Sequence, residues 1–484
     1  MFVVSSMKEK YKELPVQVKA SVCFFVCSFL QKGIATLTTP IFTRLMSTTE
    51  YGQYSIFNSW MDIIAIFVTL RLSYGVYSQG LVKFENDRNK FCSSMQGLNV
   101  FLCCIWLIIY MLWHNKLNRL LGFNSIQMIS MFVLMWTTAV FDFWSAEQRV
   151  RYKYKLLVCV SIMVSIIKPV LGIIAVKMSN DKVTARILSV VFVEVIFYTG
   201  LFIKHLYKGK FFFSKEYWKY AMIFNLPLIP HYLSQTLLNS ADRIMISQMV
   251  GEDSAGIYSL AYSLALLMTL INNALSNTMN PWIYKKIKDE RTDDIHSVAY
   301  VALIIIAICN ILLIAFAPEA VKLFAPKSYY NAIWVIPPVA MSTYFMFMYD
   351  LFAKFEFYYE QTVKIMLASA TGATLNIILN SIFIPIFGYY AAGYTTLVCF
   401  IVYALLHYIF MWQICQSHKQ LGKIYDLKIL LKITCVFLAI SFLYLFTYKS
   451  NTLRYGYTIL LMIIIFKKRR AFFSYLKIIL NMKK

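Results

Sequence analysis

The chain has 484 residues, 60% of them hydrophobic and only 14% charged, with a formal net charge of +24. Soluble domains carry about 25% charged residues, so this composition excludes an ordinary globular protein and marks a polytopic membrane protein. The positive charge then reports membrane topology, and nucleic acid is not among the expected partners.

Apolar runs of about 20 residues, enough to cross a ~30 Å hydrocarbon core, recur near 18–40, 53–78, 91–113, 124–146, 156–178, 184–206, 221–249, 255–280, 297–318, 329–352, 363–384, 389–413, 428–448 and 452–467. The expectation is an all-α fold of about fourteen transmembrane helices. Short alternating segments of the barrel type are missing from the sequence. Lys and Arg gather at the N-terminus, in the even-numbered connections and at the C-terminus, which puts both termini in the cytoplasm by the positive-inside rule. The ten Cys fall mostly inside apolar spans, where thiols act as small hydrophobes, and suggest neither a disulfide framework nor a metal site.

The basic segment up to Lys19 leads into a first span expected to stay as a signal anchor. That span carries a polar stripe of Lys32, Thr36, Thr39 and Thr43 and runs through Pro40 to Arg44. Span 2 places Ser55, Ser59, Asp62, Thr69 and Ser73 at helical intervals, with Arg71 near its end. An ionisable group at membrane depth points to a functional site, so Asp62 is a candidate cavity residue, or the partner of Lys32 or Arg71 in a structural ion pair. Span 4 ends in Asp142-Phe143-Trp144-Ser145-Ala146-Glu147-Gln148-Arg149 and the basic, aromatic run from Arg151 to Lys155, an interfacial anchor. Span 5 contains Lys168-Pro169. Lys168 is a candidate cation for an anionic ligand, or else pairs with Glu194 of span 6. The connection from Lys204 to Lys219 reads as an amphipathic segment on the cytoplasmic leaflet.

Span 7 then opens with Pro227 and Pro230. A helix brings residues three or four apart onto one face, so His231, Gln235, Asn239 and Asp242 form a row followed by Arg243. Such a row avoids lipid, where an unsatisfied polar group costs several kcal/mol. Arg243-Ile244-Met245 repeats Arg44-Leu45-Met46, and Ser254-Ala255-Gly256-Ile257-Tyr258-Ser259 repeats Glu50-Tyr51-Gly52-Gln53-Tyr54-Ser55. Span 8 carries Asn273, Asn277 and Asn280, as interhelical glue or sugar-binding amides. Span 10 ends like span 4, and span 11 has Asn376 and Asn380 on one face. The chain thus reads as two parallel six-helix repeats, spans 1–6 and 7–12, around a central cavity, plus two C-terminal helices. The corresponding divisions are 1–210, 211–418 and 419–484.

Chemistry of other kinds is not evident. There is no Walker A pattern, no Asp-x-Asp pair, no connection long enough for a catalytic domain, and the six His are scattered. An enzyme is not expected.

The motifs PIFTRLMSTTEYGQYSI, ADRIMISQMVGEDSAGIYSLAYSLA and LNIILNSIFIPIFGYYAAGYTT, in this order and spacing, resemble the bacterial O-antigen and capsule repeat-unit flippases of the multidrug/oligosaccharidyl-lipid/polysaccharide exporter superfamily. The resemblance covers essentially residues 15–465. It implies a multi-pass protein of the bacterial inner membrane that moves oligosaccharide on polyprenyl pyrophosphate from the cytoplasmic to the outer leaflet by alternating access. It implies a cavity lined by spans 1, 2, 7 and 8, with Lys32, Arg44, Arg71 and Arg243 as contacts. Membrane lipids, and the polysaccharide polymerase and chain-length proteins, are the partners it suggests. No bound cofactor is expected, while coupling to H+ or Na+ through Asp62, His231 or Asp242 stays open. Fourteen spans is also the number in the related lipid II flippases, where the last two suggest a groove for the lipid tail. A multidrug/cation antiporter, which wants a carboxylate-rich cavity, and a membrane polysaccharide polymerase are the alternatives.

Overall fold

The structure, a computed structural model, describes residues 15–418, 421–422 and 424–467. The basic N-terminal segment before residue 15 and most of the basic tail lie outside the described residues, and with them the two termini. The described chain is helical, with no strand among the described residues.

In the first half run α1 (Val16–Leu45), α2 (Thr48–Thr69), α3 (Val76–Lys83), α4 (Arg88–Leu121), α5 (Ser125–Val150), α6 (Tyr154–Met178), α7 (Lys182–Gly209) and α8 (Lys215–Asn225). The second half has α9 (Ile229–Met249), α10 (Glu252–Ala265), α11 (Met268–Lys288), α12 (Ile295–Ala315), α13 (Ala317–Phe324), α14 (Ile336–Tyr358), α15 (Thr362–Phe387), α16 (Tyr390–Ser417), α17 (Leu427–Thr447) and α18 (Asn451–Lys467). Among the described residues ten helices are long and apolar enough to span a membrane, or eleven if Lys327–Trp334 and Ile336–Tyr358, bent by 48°, form one span. The other three of the fourteen expected spans are helices too. α2 and α9 carry polar stripes, and α18 has only 17 residues.

Helix starts follow their caps. Ser47 and Glu50 form a capping box at α2, the Ser47 hydroxyl accepting from Glu50 N at 3.1 Å while Glu50 accepts from Ser47 N at 2.7 Å. Asn124 and Gln127 do the same at α5. Span 2 of the sequence reading is broken, because Leu70 and Arg71 both adopt left-handed φ, 49° and 48°. Such residues end a helix. Arg71 therefore sits at a break between α2 and α3 rather than inside a continuous apolar helix, 5.4 Å from the Tyr74 ring. The segment after Lys204 also differs from expectation. Its helix α8 is docked, with Tyr217 and Ala221 buried against Leu81, Phe91 and Phe143, and Trp218 Nε1 donating to Ser94 O at 3.0 Å.

Two compact units result, Met1–Leu233 and Ser234–Lys484. The docking of α8 carries the first unit past residue 210. Each unit ties its fourth long helix to its sixth with a buried carboxylate–imidazole contact. In the first, Glu147 of α5 meets His205 Nε2 of α7 at 3.0 Å. In the second, Glu356 of α14 meets His407 Nδ1 of α16 at 2.6 Å. The His residues look scattered along the sequence because these partners are more than fifty residues away.

Candidate functional site

In the first unit α1, α2, α5, α6 and α7 enclose a cavity of about 470 Å³. Its walls mix hydroxyls and amides (Gln31, Thr38, Thr39, Asn58) with aromatic rings and three charged residues, Lys168, Arg186 and Glu194. The two helices of the Lys168-Pro169 segment and of Glu194 bring their charges together. Lys168 Nζ lies 2.6 Å from Glu194 Oε1, and Glu194 Oε2 accepts from the Thr137 hydroxyl at 2.5 Å. Of the two readings open for Lys168, pairing with Glu194 is the arrangement found. Gly172 keeps the wall close: a Cβ there would lie 3.0 Å from Phe42 Cζ.

That leaves Arg186. Its guanidinium carbon stands 3.9 Å from the Phe42 ring centre and 3.7 Å from that of Tyr54, a clamp worth about 0.5–2 kcal/mol. Among the described residues no carboxylate forms an ion pair with it, so the cavity carries one cation in excess. The sequence reading missed Arg186, because it lies one turn into span 6 and looks like part of the outer loop charge. The Phe42 and Tyr54 partners, inside the first resembling motif, are the signal that could have found it.

Other candidates of this unit lie elsewhere. Lys32 and Asp62 are exposed on α1 and α2, and neither lines the cavity, although their neighbours Gln31 and Met61 do. Arg44 is exposed, with Nη1 donating to Pro40 O at 2.8 Å. His231, half-buried at the start of α9, stacks obliquely on Tyr232 at 6.0 Å between ring centres.

In the second unit the row on α9 is continuous with a buried polar cluster. Asp242, 1% exposed, accepts from Asn380 Nδ2 at 2.7 Å, from the Tyr258 hydroxyl at 2.5 Å and from the Thr396 hydroxyl at 2.7 Å. Asn380 also donates to Asn376 Oδ1 at 3.2 Å and accepts from Thr395. Three other helices thus converge on the one carboxylate of α9, each supplying a side-chain hydrogen-bond donor. Two turns before Asp242, Gln235 Nε2 donates to the Tyr403 hydroxyl at 2.9 Å, and Arg243, next to Asp242, donates to Asn239 O at 3.2 Å with its guanidinium 4.6 Å from the Tyr262 ring centre. Asn273 and Asn277 are exposed on α11 and apart from this cluster. The amide that acts as glue is their neighbour Asn272, which is buried and donates to Thr343 O at 2.8 Å.

The second unit also holds an apolar groove of about 440 Å³ among α12, α17 and α18, lined by Ile308, Ile311, Val436, Phe437, Leu461 and their neighbours.

The profile of the polysaccharide biosynthesis protein family matches residues 18–287, which is more than half of the chain and contains the cavity and the start of the cluster. The chain belongs to the polysaccharide biosynthesis protein family. The MatE profile matches residues 227–382. A membrane protein of Haemophilus influenzae is 21% identical over 371 residues, 73% of this chain and 86% of its own length. Among solved structures, the inward closed conformation of the lipid II flippase MurJ superposes with a TM-score of 0.71, covering 96% of this chain and 98% of that one at 15% identity. An inward-facing multidrug resistance MATE family transporter of the MOP superfamily gives 0.61, with 81% and 96% covered at 14% identity. At these identities the likeness fixes the fold: this family member has the fold shared by MOP-superfamily flippases and transporters.

Proposed function

We propose that the protein is a flippase that moves oligosaccharide repeat units on polyprenyl pyrophosphate from the cytoplasmic to the outer leaflet of the bacterial inner membrane by alternating access, with both termini cytoplasmic. The observation that carries this reading is the excess cation in the first unit's polar cavity. Arg186 is held by two rings and offers its donors to an anion, whereas a cation antiporter needs excess carboxylate there. Guanidinium groups pair well with phosphate oxygens, and the surrounding Gln31, Asn58 and threonines supply partners for sugar hydroxyls. The apolar groove suits the lipid tail. Asp242, a buried carboxylate contacted by side chains of three other helices, is the group to which we assign coupling to Na+ or H+, carried as co-substrate. Membrane lipids and polysaccharide polymerase and chain-length proteins are its proposed partners.

The test is the amount and sidedness of polyprenyl-linked oligosaccharide in membranes from cells with the protein, without it, and with Arg186→Ala. The expected result is accumulation on the cytoplasmic leaflet without the protein, and a loss of about tenfold or more in flipping rate with the variant, the worth of one charge-assisted contact. Unchanged lipid-linked sugars together with increased drug sensitivity would replace this reading by the antiporter.

A further inference from the structure

A second cavity of the first unit lies away from the one just described. It measures about 400 Å³ and opens where α5 ends, α6 begins and α7 ends. Five cations border it: Arg151 and Lys153 from the turn between α5 and α6, Lys155 from the first turn of α6, and Lys204 and Lys208 from the last turns of α7. Its one carboxylate, Glu147, is already neutralised. Arg151 lies 2.8 Å from Glu147 Oε1, and His205 lies 3.0 Å from Oε2. Among the described residues none of the four lysines forms an ion pair. The Arg151 Nε–H is buried with no acceptor among the described residues, an arrangement that costs free energy unless something fills it.

The positive-inside rule accounts for lysines at this end of the helices. It does not require that they converge from separate helices on one concavity, that its single carboxylate be already engaged by Arg151 and His205, or that an arginine N–H be left buried and unmatched. Tyr152, Tyr154 and Trp144 also border the cavity, and tyrosine and tryptophan sit well at headgroup depth. The first turn of α6 adjoins it with no side-chain cap and no acidic residue, so its free N–H groups add positive potential.

We propose that this cavity is a binding site for the anionic phosphate headgroup of a membrane lipid. Basic pockets between transmembrane helices at the membrane surface recognise such headgroups. Two sources share this chemistry, an anionic phospholipid of the bilayer and a polyprenyl diphosphate. The site does not depend on the transport reading, since a phospholipid would occupy it whatever the cargo.

The experiment uses the full-length protein in detergent micelles, titrated separately with phosphatidylglycerol, polyprenyl diphosphate and phosphatidylcholine, and read by native mass spectrometry. The Lys204→Gln/Lys208→Gln double variant is compared with the wild type. Both lysines are exposed, and folding is checked by thermal unfolding. The expected result is that an anionic lipid binds, phosphatidylcholine does not, and the variant binds the anionic lipid at least about tenfold more weakly. Preference for phosphatidylglycerol would make this a bilayer-lipid site, and preference for polyprenyl diphosphate a headgroup site for that lipid. Equal binding by variant and wild type, or no discrimination against phosphatidylcholine, would overturn the proposal. A second measurement needs no variant: raising salt from about 0.05 M to about 0.5 M screens exposed charges, so anionic-lipid binding to the wild type must weaken, and salt-insensitive binding would also overturn it.

Discussion

Asp242 is surrounded by three donors within 2.7 Å, all from other helices than its own. Replacing it by Asn keeps the shape and removes the charge. If the carboxylate couples an ion to movement of cargo, Asp242→Asn folds, yet loses the ion-gradient dependence of flipping, with a rate deficit of about 5- to 150-fold, the usual range of a coupling free energy. Transport that keeps its full gradient response in this variant would remove Asp242 from that role. Asp242→Leu has a different outcome: Asn380, Tyr258 and Thr396 lose their acceptor, at about 1–3 kcal/mol for each buried donor left unmatched, and thermal unfolding moves down sharply. The row from His231 to Asp242 was legible because helical periodicity is local. Asn380 and Thr396 as its partners were not, since they stand 138 and 154 residues further on and only packing brings them in. Arg186 escaped for a related reason: its neighbours Phe42 and Tyr54 are hydrophobic by type, and nothing in a linear pattern says that rings will clamp a cation.

Helices were legible wherever apolar length alone decides, as in α6, α12 and α17, and illegible where the backbone breaks. The interruption at Leu70 and Arg71 contains no proline, and the two left-handed residues there follow from tertiary packing around Leu72 and Val76, both buried. Close helix approach was likewise hidden. At the contact of α7 with α4, a Cβ on Gly209 would lie 2.2 Å from Ser93 Cβ and 2.3 Å from Asn89 O, closer than any side chain permits. Gly209→Ala must push the two helices apart and costs about 1–3 kcal/mol, the usual penalty of overpacking. On the same helix Gly200 has nothing within 4 Å of its would-be Cβ. There the substitution to Ala should stabilise by roughly 0.5–1 kcal/mol, since alanine is the better helix former. Thermal unfolding of the two variants in one detergent separates the effects. Equal shifts would mean that α7 does not pack on α4 as described.

For the molecule as a whole, the amphiphilic cargo proposed above would have to meet both a polar cationic wall and an apolar one, and the cavity and the groove are built in different halves of the chain. The halves share their carboxylate–imidazole ties, but only the second is followed by α17 and α18, which complete the groove. Arg454 of α18, buried and paired with Glu319, fixes that last helix to the chain, while the Tyr344 hydroxyl lies 3.1 Å from Thr434 on α17. The energetic role of such a groove is modest. A lipid tail passing from bilayer to groove exchanges one apolar surrounding for another, so no hydrophobic gain accompanies its entry. What the groove contributes is alignment of a long tail and displacement of looser lipid contacts. Val436, about half exposed on the groove wall, offers a way to fill it: Val436→Trp occupies the space with an indole while leaving the charged cavity and the Asp242 cluster untouched. The expected outcome is a slowing of about two- to tenfold for a substrate with a full-length polyprenyl tail, or about 0.4–1.4 kcal/mol, and little change for a short-tailed analogue carrying the same sugars and diphosphate. If both substrates slow alike, the groove serves the protein's stability. If neither slows, the tail travels elsewhere in the bilayer, and α17 and α18 need another explanation.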